Sequence, residues 1–234
     1  MDRWTRIELL VEQRARSFDY LKQVHQGDAH WLSAVTLGPQ DAALSRSVES
    51  LQVLRWFYLG VSLGPLLQLP SGPPFVRALL QLFEEFQYHF ARSAVQNMKI
   101  IKSRGSRAAA PAGGSSEDDL RPQLQRMGGE VLYAYLLTPH IAHPLSASQV
   151  LQCLCELMPH AYRKLGEPGA EPPSAALVDA VLKVDTVVEE QLISVVVRQY
   201  NATSQGALQS ALSKADPLFA RLMVGSDAPA DGLE

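Results

Sequence analysis

Residues 103–119 are a stretch without a single large apolar side chain, composed of small residues, proline and charged residues. Such a composition cannot bury enough apolar surface to fold, so it predicts a flexible, disordered linker. The linker separates an N-terminal helical part, residues 1–102, from a C-terminal helical part, residues 120–225, and a frayed acidic tail follows at 226–234. Two arrangements remain open: two small helical domains, or one bundle with a long disordered crossing.

Apolar residues recur at the spacing of an α-helix along the N-terminal part. Residues 3–26 show this pattern and are followed by Gly27, a residue that commonly ends helices. A second helix is predicted over residues 41–63 and a third, long one over residues 76–101. A short helical turn is expected at residues 28–35.

The C-terminal part carries helical signals of the same kind. Residues 120–127 predict one or two helical turns, which residues 131–137 continue after a pair of glycines. Ser146 and Gln149 have the spacing of a capping box, which indicates the start of a helix. Pro159 is expected to bend or end that helix.

Valines dominate the segment after Ser174, a residue that can cap a helix, and they raise a strand as an alternative. Glu189, Glu190 and Gln191 interrupt any alternation of polar and apolar residues, so a helix is favoured. One or two short helices should close the part. The predicted fold class is all-α, an irregular helical bundle or stacked helical array of about seven to nine helices with a disordered internal linker.

Charge and cysteine content limit the cellular setting of the chain. Its 21 Lys and Arg residues against 24 Asp and Glu give a net charge of −3, so no nucleic-acid partner is expected. Cys153 and Cys155 cannot form the disulfide framework of a secreted domain, and the N-terminus lacks the apolar stretch of a signal peptide. We therefore expect an intracellular protein, cytoplasmic in preference to nuclear.

Residues 51–69 contain a single charge, Arg55, and are long enough to cross a membrane. Gly60, Gly64 and Pro65 interrupt the stretch, and the chain offers no second segment of similar quality. A helix buried on most faces is therefore expected here in place of a membrane span.

Sequence motifs of catalysis and nucleotide binding are missing, because the chain has no phosphate-binding glycine loop, no H-E-x-x-H and no G-x-S-x-G. We expect no enzyme and no cofactor. His25 and His30 fit surface histidines of a loop. The adjacent pairs Glu84–Glu85 and Glu189–Glu190 point about 100° apart on a helix, so each is interpreted as a solvated helix face.

The best candidates for metal ligands are five Cys and His residues that lie close together in the sequence, namely His140, His143, Cys153, Cys155 and His160. Residues two apart on a helix point about 200° away from each other, so Cys153 and Cys155 cannot bind one ion without unwinding it. No metal site is predicted.

The aromatic residues around positions 56–58 and 83–90 occupy more than one face of their helices. Either a partner covers the additional faces, or the two helical parts pack on each other and bury all of them. The residues we expect to contact a protein partner are Trp56, Tyr58, Phe83, Phe86 and Phe90. The resulting hypothesis is a non-enzymatic helical scaffold or adaptor subunit that mediates protein–protein interaction in a larger complex. The alternative is a helical protein that binds a lipid or another apolar ligand among Trp56, Phe57, Phe83, Phe86 and Phe90.

One cluster of basic residues offers a weak contact with an anionic surface. It consists of Lys99, Lys102, Arg104 and Arg107. Cations at the end of a helix also interact favourably with the helix dipole, and this explains the same residues without a ligand.

Overall fold

A computed structural model describes residues 2–37, 50–91, 96, 120–128, 130–167 and 173–215. Of these residues 71% are helical and 6% lie in strands, so the predicted helical class is confirmed. Within these ranges the helices number five, so the expectation of seven to nine is wrong. The predicted linker, the acidic tail and the basic cluster lie outside the described residues.

The five helices, in chain order, are α1 (Arg3–Gln26), α2 (Ser50–Leu66), α3 (Pro73–His89), α4 (Ala147–Leu165) and α5. The last helix, α5, is continuous and has three segments: α-helical Ala175–Val188, π-helical Glu189–Ile193 and α-helical Ser194–Ala215. The valine-rich segment is thus helical, as predicted.

Capping residues read from the sequence begin and end several of these helices. The hydroxyl of Ser146 accepts the N–H of Gln149, and that of Ser174 accepts the N–H of Leu177 at 3.1 Å. Gly27 ends α1 in the left-handed conformation, with φ at 84°. These three signals are confirmed.

Two antiparallel hairpins replace helical turns that the sequence led us to expect. The first pairs β1 (His30–Trp31) with β2 (Val35–Thr36), and the second pairs β3 (Gln125–Met127) with β4 (Glu130–Leu132). The helical expectations for residues 28–35, 120–127 and 131–137 are therefore wrong.

Tertiary contacts explain the first hairpin. The Tyr20 hydroxyl donates to the carbonyl of His30 and accepts the N–H of Leu32 at 3.1 Å. Leu32 itself has a φ of 49°, which is unusual for a residue other than glycine, asparagine or aspartate. Trp31 lies between the rings of Tyr20 and Tyr200, so the hairpin is fixed by partners on α1 and α5.

Two helix ends also differ from the sequence interpretation. The helix α3 ends at His89, where the rings of His89 and Phe90 pack onto Tyr58. Gln96 is again helical, and the rest of the predicted stretch from residue 92 to residue 101 lies outside the described residues. Pro159 does not end α4, which continues to Leu165. Pro159 is buried there together with Met158 and Ala161, and this packing outweighs the lost backbone hydrogen bond.

One hydrophobic core joins side chains from both sides of residues 103–119. Helix α1 packs most extensively against α4, α2 also packs against α4, and α3 packs against the first segment of α5. The division of the chain into two helical parts stays a prediction. None of the helices in the described ranges combines the length and hydropathy that crossing a bilayer requires.

A partly buried ion network links three of the helices at the edge of this core. Arg14 on α1 binds Asp185 on α5 through two hydrogen bonds, of 2.6 and 2.9 Å, and also reaches Glu189 in the π-helical segment. Tyr162 on α4 donates to the same Asp185 at 2.7 Å. Hydrogen bonding to Asp185 raises the pKa of Arg14, and burial raises the pKa of Tyr162.

Candidate interaction site on the α2–α3 face

Residues 120–128 and 130–137 form an irregular segment, here called the strap, that lies across α2 and α3. It contains the second hairpin, whose strands are almost wholly exposed. Leu136 is the one strap residue that is buried. The strap therefore cannot be held to the helices mainly by burial of its side chains.

Glu85 on α3 is fully buried, and its carboxylate binds the main chain of the strap. It accepts the N–H groups of Ala134, Tyr135 and Leu136, each at 2.9 Å. A buried carboxylate needs donors of this kind, because it has lost the hydrogen bonds of water. The interpretation of Glu85 as part of a solvated helix face is therefore wrong.

Gln81, one helical turn before Glu85, binds the strap in the same way. Its amide accepts the N–H of Gln123 at 2.8 Å and donates to the carbonyl of Gln123 at 2.9 Å. The same nitrogen donates to the Glu85 carboxylate at 2.7 Å. Because residues four apart share one helix face, Gln81 and Glu85 form a continuous polar row toward the strap.

Ser62 on α2 also binds the main chain of the strap. Its hydroxyl accepts the N–H of Leu137 at 2.9 Å and donates to the carbonyl of Tyr58 at 2.6 Å. Glu85 and Ser62 together receive four consecutive main-chain N–H groups, those of residues 134–137. Because successive N–H groups of an extended strand point to opposite sides, the strap is bent here, and Glu85 and Ser62 bind the N–H groups that the bend turns toward them.

Beside this row lies a group of rings, here called the aromatic cluster and made up of Tyr58, Phe86, His89, Phe90 and Tyr133. Phe86 is buried, and the other four rings are half-buried. Ring centroids are 5.0 Å apart for Phe86 and Phe90 and 4.8 Å apart for His89 and Phe90, both pairs edge to face. The ring of His89 also bonds the Tyr133 hydroxyl at 3.1 Å, so the cluster includes one strap residue.

Burial in the cluster changes the pKa values of its two most polar side chains, His89 and Tyr133. It lowers the pKa of His89 and raises the pKa of Tyr133. Both shifts keep the groups uncharged at neutral pH, as expected where rings displace water.

Arg55 on α2 is the charged member of this surface. Its guanidinium carbon lies 5.1 Å from the centroid of the Phe90 ring, which is cation–π geometry. The Nε of Arg55 is buried and has no hydrogen-bond partner among the residues that the structure describes. The single charge in the apolar stretch 51–69 is therefore placed against an aromatic ring.

The five residues expected to contact a partner fall into two groups. Trp56, Phe83 and Phe86 are buried in the core, whereas Tyr58 and Phe90 are half-buried in the aromatic cluster. Contact with a partner stays a prediction, and the solvent-accessible surface favours Tyr58 and Phe90 for it.

Sequence reasoning missed the polar half of the site. Ser62, Gln81 and Glu85 lie within helical patterns where polar residues are normally solvent-facing. The sequence contained one indication of a polar site, Arg55, because a single charge in an apolar helix needs a group beside it that stabilises the charge. His89 could have been predicted as a member of the aromatic cluster, because it is adjacent to Phe90 in the sequence.

His25 is a second correction, because it is buried and not a surface loop residue. One ring nitrogen lies 2.7 Å from the Ser148 hydroxyl, and the other lies 3.2 Å from the Tyr200 hydroxyl. Desolvation lowers the pKa of His25, while the contact with Ser148 opposes the shift. His25 thus joins the end of α1 to the start of α4 and to α5.

The two cysteines differ in their exposure to solvent. Cys153 is exposed and Cys155 is buried, and burial raises the pKa of Cys155 to about 12. No group of three or more His, Cys, Asp and Glu side chains that could hold a metal ion occurs within the described ranges. A cavity lined by nine residues of α2–α5, among them Leu63, Phe83 and Tyr162, has a volume of about 10 Å³, which is the size of a water molecule.

Comparisons of the chain with family models, with curated protein sequences and with solved structures each find no match.

Proposed function

We propose that this protein is a non-enzymatic helical scaffold or adaptor subunit that mediates protein–protein interaction in a larger complex. We place it inside the cell, in the cytoplasm in preference to the nucleus. The observation that carries the proposal is the free end of α5, defined as residues 205–215.

The free end is helical although it contributes almost nothing to the core. All of its residues are exposed except Ser213, which is partly exposed. Leu208 and Leu212 lie four residues apart on one face, with 44% and 49% of their surfaces accessible. Most of the stability of a protein helix comes from packing of its apolar face, so burial of this face by a partner would stabilise the segment.

The alternative, a protein that holds a lipid among its aromatic residues, receives less support. Ligand pockets for molecules of drug size have volumes of about 300–1,000 Å³. The interior cavity beside Phe83 has about 10 Å³. Trp56, Phe83 and Phe86 contribute to core packing and are not arranged around a void of lipid size.

Affinity purification from cells tests the proposal with three tagged chains. These are the wild type, the double variant Leu208→Ser/Leu212→Ser and the control Leu9→Ser, which changes an equally exposed leucine on α1. We expect a defined set of proteins to co-purify with the wild type and the control but not with the double variant. Because both leucines are exposed, each substitution should change the free energy of unfolding, measured by thermal denaturation, by less than about 0.5 kcal/mol.

A wild-type chain that is recovered as a clean monomer without stable partners would overturn the scaffold proposal. Co-purification that the double variant retains would show that the free end is not the docking surface.

A further inference from the structure

Arg55 is the single charged residue of α2, and it forms no ion pair within the described ranges of the chain. Its Nε is buried there without a hydrogen-bond partner. Buried polar groups are nearly always hydrogen-bonded, because an unpaired group has lost its water without compensation. An unpaired cation in an otherwise apolar helix therefore lowers stability, and local costs of this kind are expected at functional sites.

The ring of Phe90 restricts the orientation of this guanidinium. The guanidinium carbon of Arg55 lies 5.1 Å from the ring centroid. The ring itself packs edge to face against Phe86 and His89, at centroid distances of 5.0 and 4.8 Å. A stacked guanidinium has lost much of its conformational freedom before a ligand arrives, so that binding costs less entropy. Arg55 is therefore preorganised.

The Nη atoms form the edge of the guanidinium that a ligand can reach. Arg55 is partly exposed, and Nε is the atom of its guanidinium that is buried and unpaired. Nη1 and Nη2 present parallel N–H groups, which match the two oxygens of a carboxylate. Because Arg55 supplies the single positive charge of α2, one carboxylate neutralises it.

Apolar and aromatic side chains flank Arg55 on the same helix. Leu51, four residues before it, has 49% of its surface exposed, and Tyr58, three residues after it, is half-buried. Residues three and four apart share one face of a helix. Arginine and tyrosine are enriched among the residues that dominate the binding energy of protein interfaces. This composition fits a protein segment that carries an apolar side chain beside an acidic one.

We propose that Leu51, Arg55, Tyr58 and Phe90, here called the Arg55 surface, bind an acidic segment of a protein partner. A glutamate or aspartate carboxylate of that segment accepts the Nη N–H groups of Arg55, and a neighbouring apolar side chain packs on Leu51. The carboxylate supplies the acceptor that the described residues do not provide. The Arg55 surface includes no residue of the free end of α5, so this inference and the scaffold proposal are tested separately.

A titration followed by nuclear magnetic resonance observes Arg55 directly in the full-length wild-type chain. The probes are two capped peptides, Gly-Glu-Leu-Gly and Gly-Gln-Leu-Gly, which differ in one carboxylate. We expect the glutamate peptide to shift the Nε–Hε signal of Arg55, assigned by its absence in Arg55→Lys. It should bind at least about tenfold more tightly than the glutamine peptide. Equal affinities would overturn the proposal, because the charge would then play no part.

Variants show whether the glutamate peptide binds at Arg55, with the backbone amide signals of residues 50–58 as the readout. Arg55→Met removes the charge and should weaken binding at least about tenfold. Arg55→Lys keeps the charge without the planar pair of N–H groups, so it should retain only part of the affinity. The matched control Arg6→Met removes an exposed charge from α1 and should bind like the wild type. Binding retained by Arg55→Met, or lost equally in Arg6→Met, would overturn the proposal.

Circular dichroism tests whether each variant is folded. If Arg55→Met does not fold, the comparison of the two peptides on the wild-type chain decides the question by itself.

Two further measurements identify other occupants of the Arg55 surface. Inorganic phosphate at equal ionic strength should bind more weakly than the glutamate peptide, and tighter binding would overturn the choice of a carboxylate. If the wild type binds neither peptide, the triple variant Glu117→Gln/Asp118→Asn/Asp119→Asn is titrated. Binding by the triple variant alone would assign Arg55 to the chain's own acidic run, and binding by neither chain would leave Arg55 without a carboxylate ligand. Both results would overturn the proposal.

Discussion

The helical core and the strap are held to the same molecule by different kinds of contact. Core residues such as Trp56 and Phe18 pack their side chains against other side chains. The strap is bound through its backbone by side chains of α2 and α3, and only Leu136 is buried. Burial of apolar surface provides most of the free energy of folding, so the core should be the more stable region.

Because the contacts differ, the core and the strap also differ in which amino-acid substitutions they tolerate. A packed core requires side chains of the right size at every buried position, because interiors are as dense as organic crystals. The strap, which is bound by its main chain, requires a backbone that turns its N–H groups toward α3 and one buried apolar side chain, that of Leu136. Single substitutions can therefore destabilise the core or the strap separately, and the sizes of their effects measure the difference between the two regions.

The largest expected effect follows from a cavity in the core. Trp56→Ala removes a side chain that is 1% exposed, and we expect the free energy of unfolding to fall by about 3–5 kcal/mol. Urea unfolding followed by circular dichroism measures the change. Leu51→Ala, at an exposed position on the same helix, should change it by less than about 0.5 kcal/mol. Similar losses for both variants would contradict the assignment of Trp56 to the core.

A somewhat smaller loss is expected from the ion network in the core. Arg14→Met leaves Asp185 without its cation in a site where both side chains are 13% exposed, and should cost about 3 kcal/mol. The double variant Arg14→Met/Asp185→Leu should recover part of this loss, because it leaves no unpaired charge at Asp185. A double variant less stable than Arg14→Met in urea unfolding would argue against that explanation.

The substitution Glu85→Gln is expected to weaken the attachment of the strap to α3. The amide retains the shape of the side chain but replaces an acceptor oxygen by a donor that faces main-chain N–H groups. We expect a loss of about 1–3 kcal/mol, with much faster hydrogen exchange at residues 134–137. Glu130→Gln, at an exposed carboxylate of the strap, should leave both quantities nearly unchanged. Unchanged exchange in Glu85→Gln would show that the carboxylate does not hold the strap.

The pH dependence of stability gives the smallest of these effects. Burial lowers the pKa of His25 in the core and of His89 beside the strap, so below pH about 6.5 the unfolded chain binds more protons than the folded one. Stability should therefore decrease as the pH falls below that value, by at most about 1.4 kcal/mol per pH unit for each histidine. Above it the two histidines contribute no pH dependence.

Two variants separate the regions in this pH titration. His25→Gln should reduce the pH dependence of global unfolding, and His89→Gln should reduce that of strap exchange. His140→Gln, at an exposed position, should change neither. If His25→Gln left the slope of global stability against pH unchanged, the burial of His25 would not be its source.

Local signals made much of the helical core predictable from the sequence. The first helix spans residues 3–26 as its periodicity predicts, and Gly27, Ser146 and Ser174 act as caps. Periodicity and capping depend on residues three to seven apart, so one sequence contains the whole signal. The core followed from these patterns because most of its buried positions lie on helical stripes.

Contacts between distant residues explain what the sequence did not reveal. The strap is ordered by Glu85, about fifty residues before the groups that it binds, and the first hairpin by Tyr20 and Tyr200. A glutamate in a helix gives no local indication that a backbone will cover it. Half of the candidate site, its polar row, was therefore out of reach, whereas Tyr58, Phe86 and Phe90 of the aromatic cluster were identified.

Hydrogen exchange of the wild-type chain in increasing urea tests most directly whether the strap opens separately from the helical core. We expect the amides of residues 134–137 to exchange through a local opening, with lower protection than the buried turns of α3 and little dependence on low urea concentrations. Amides in α3 should become exchangeable only through global unfolding, with a strong dependence on urea. If the strap amides matched α3 in both protection and urea dependence, the strap would belong to the core, contrary to this account.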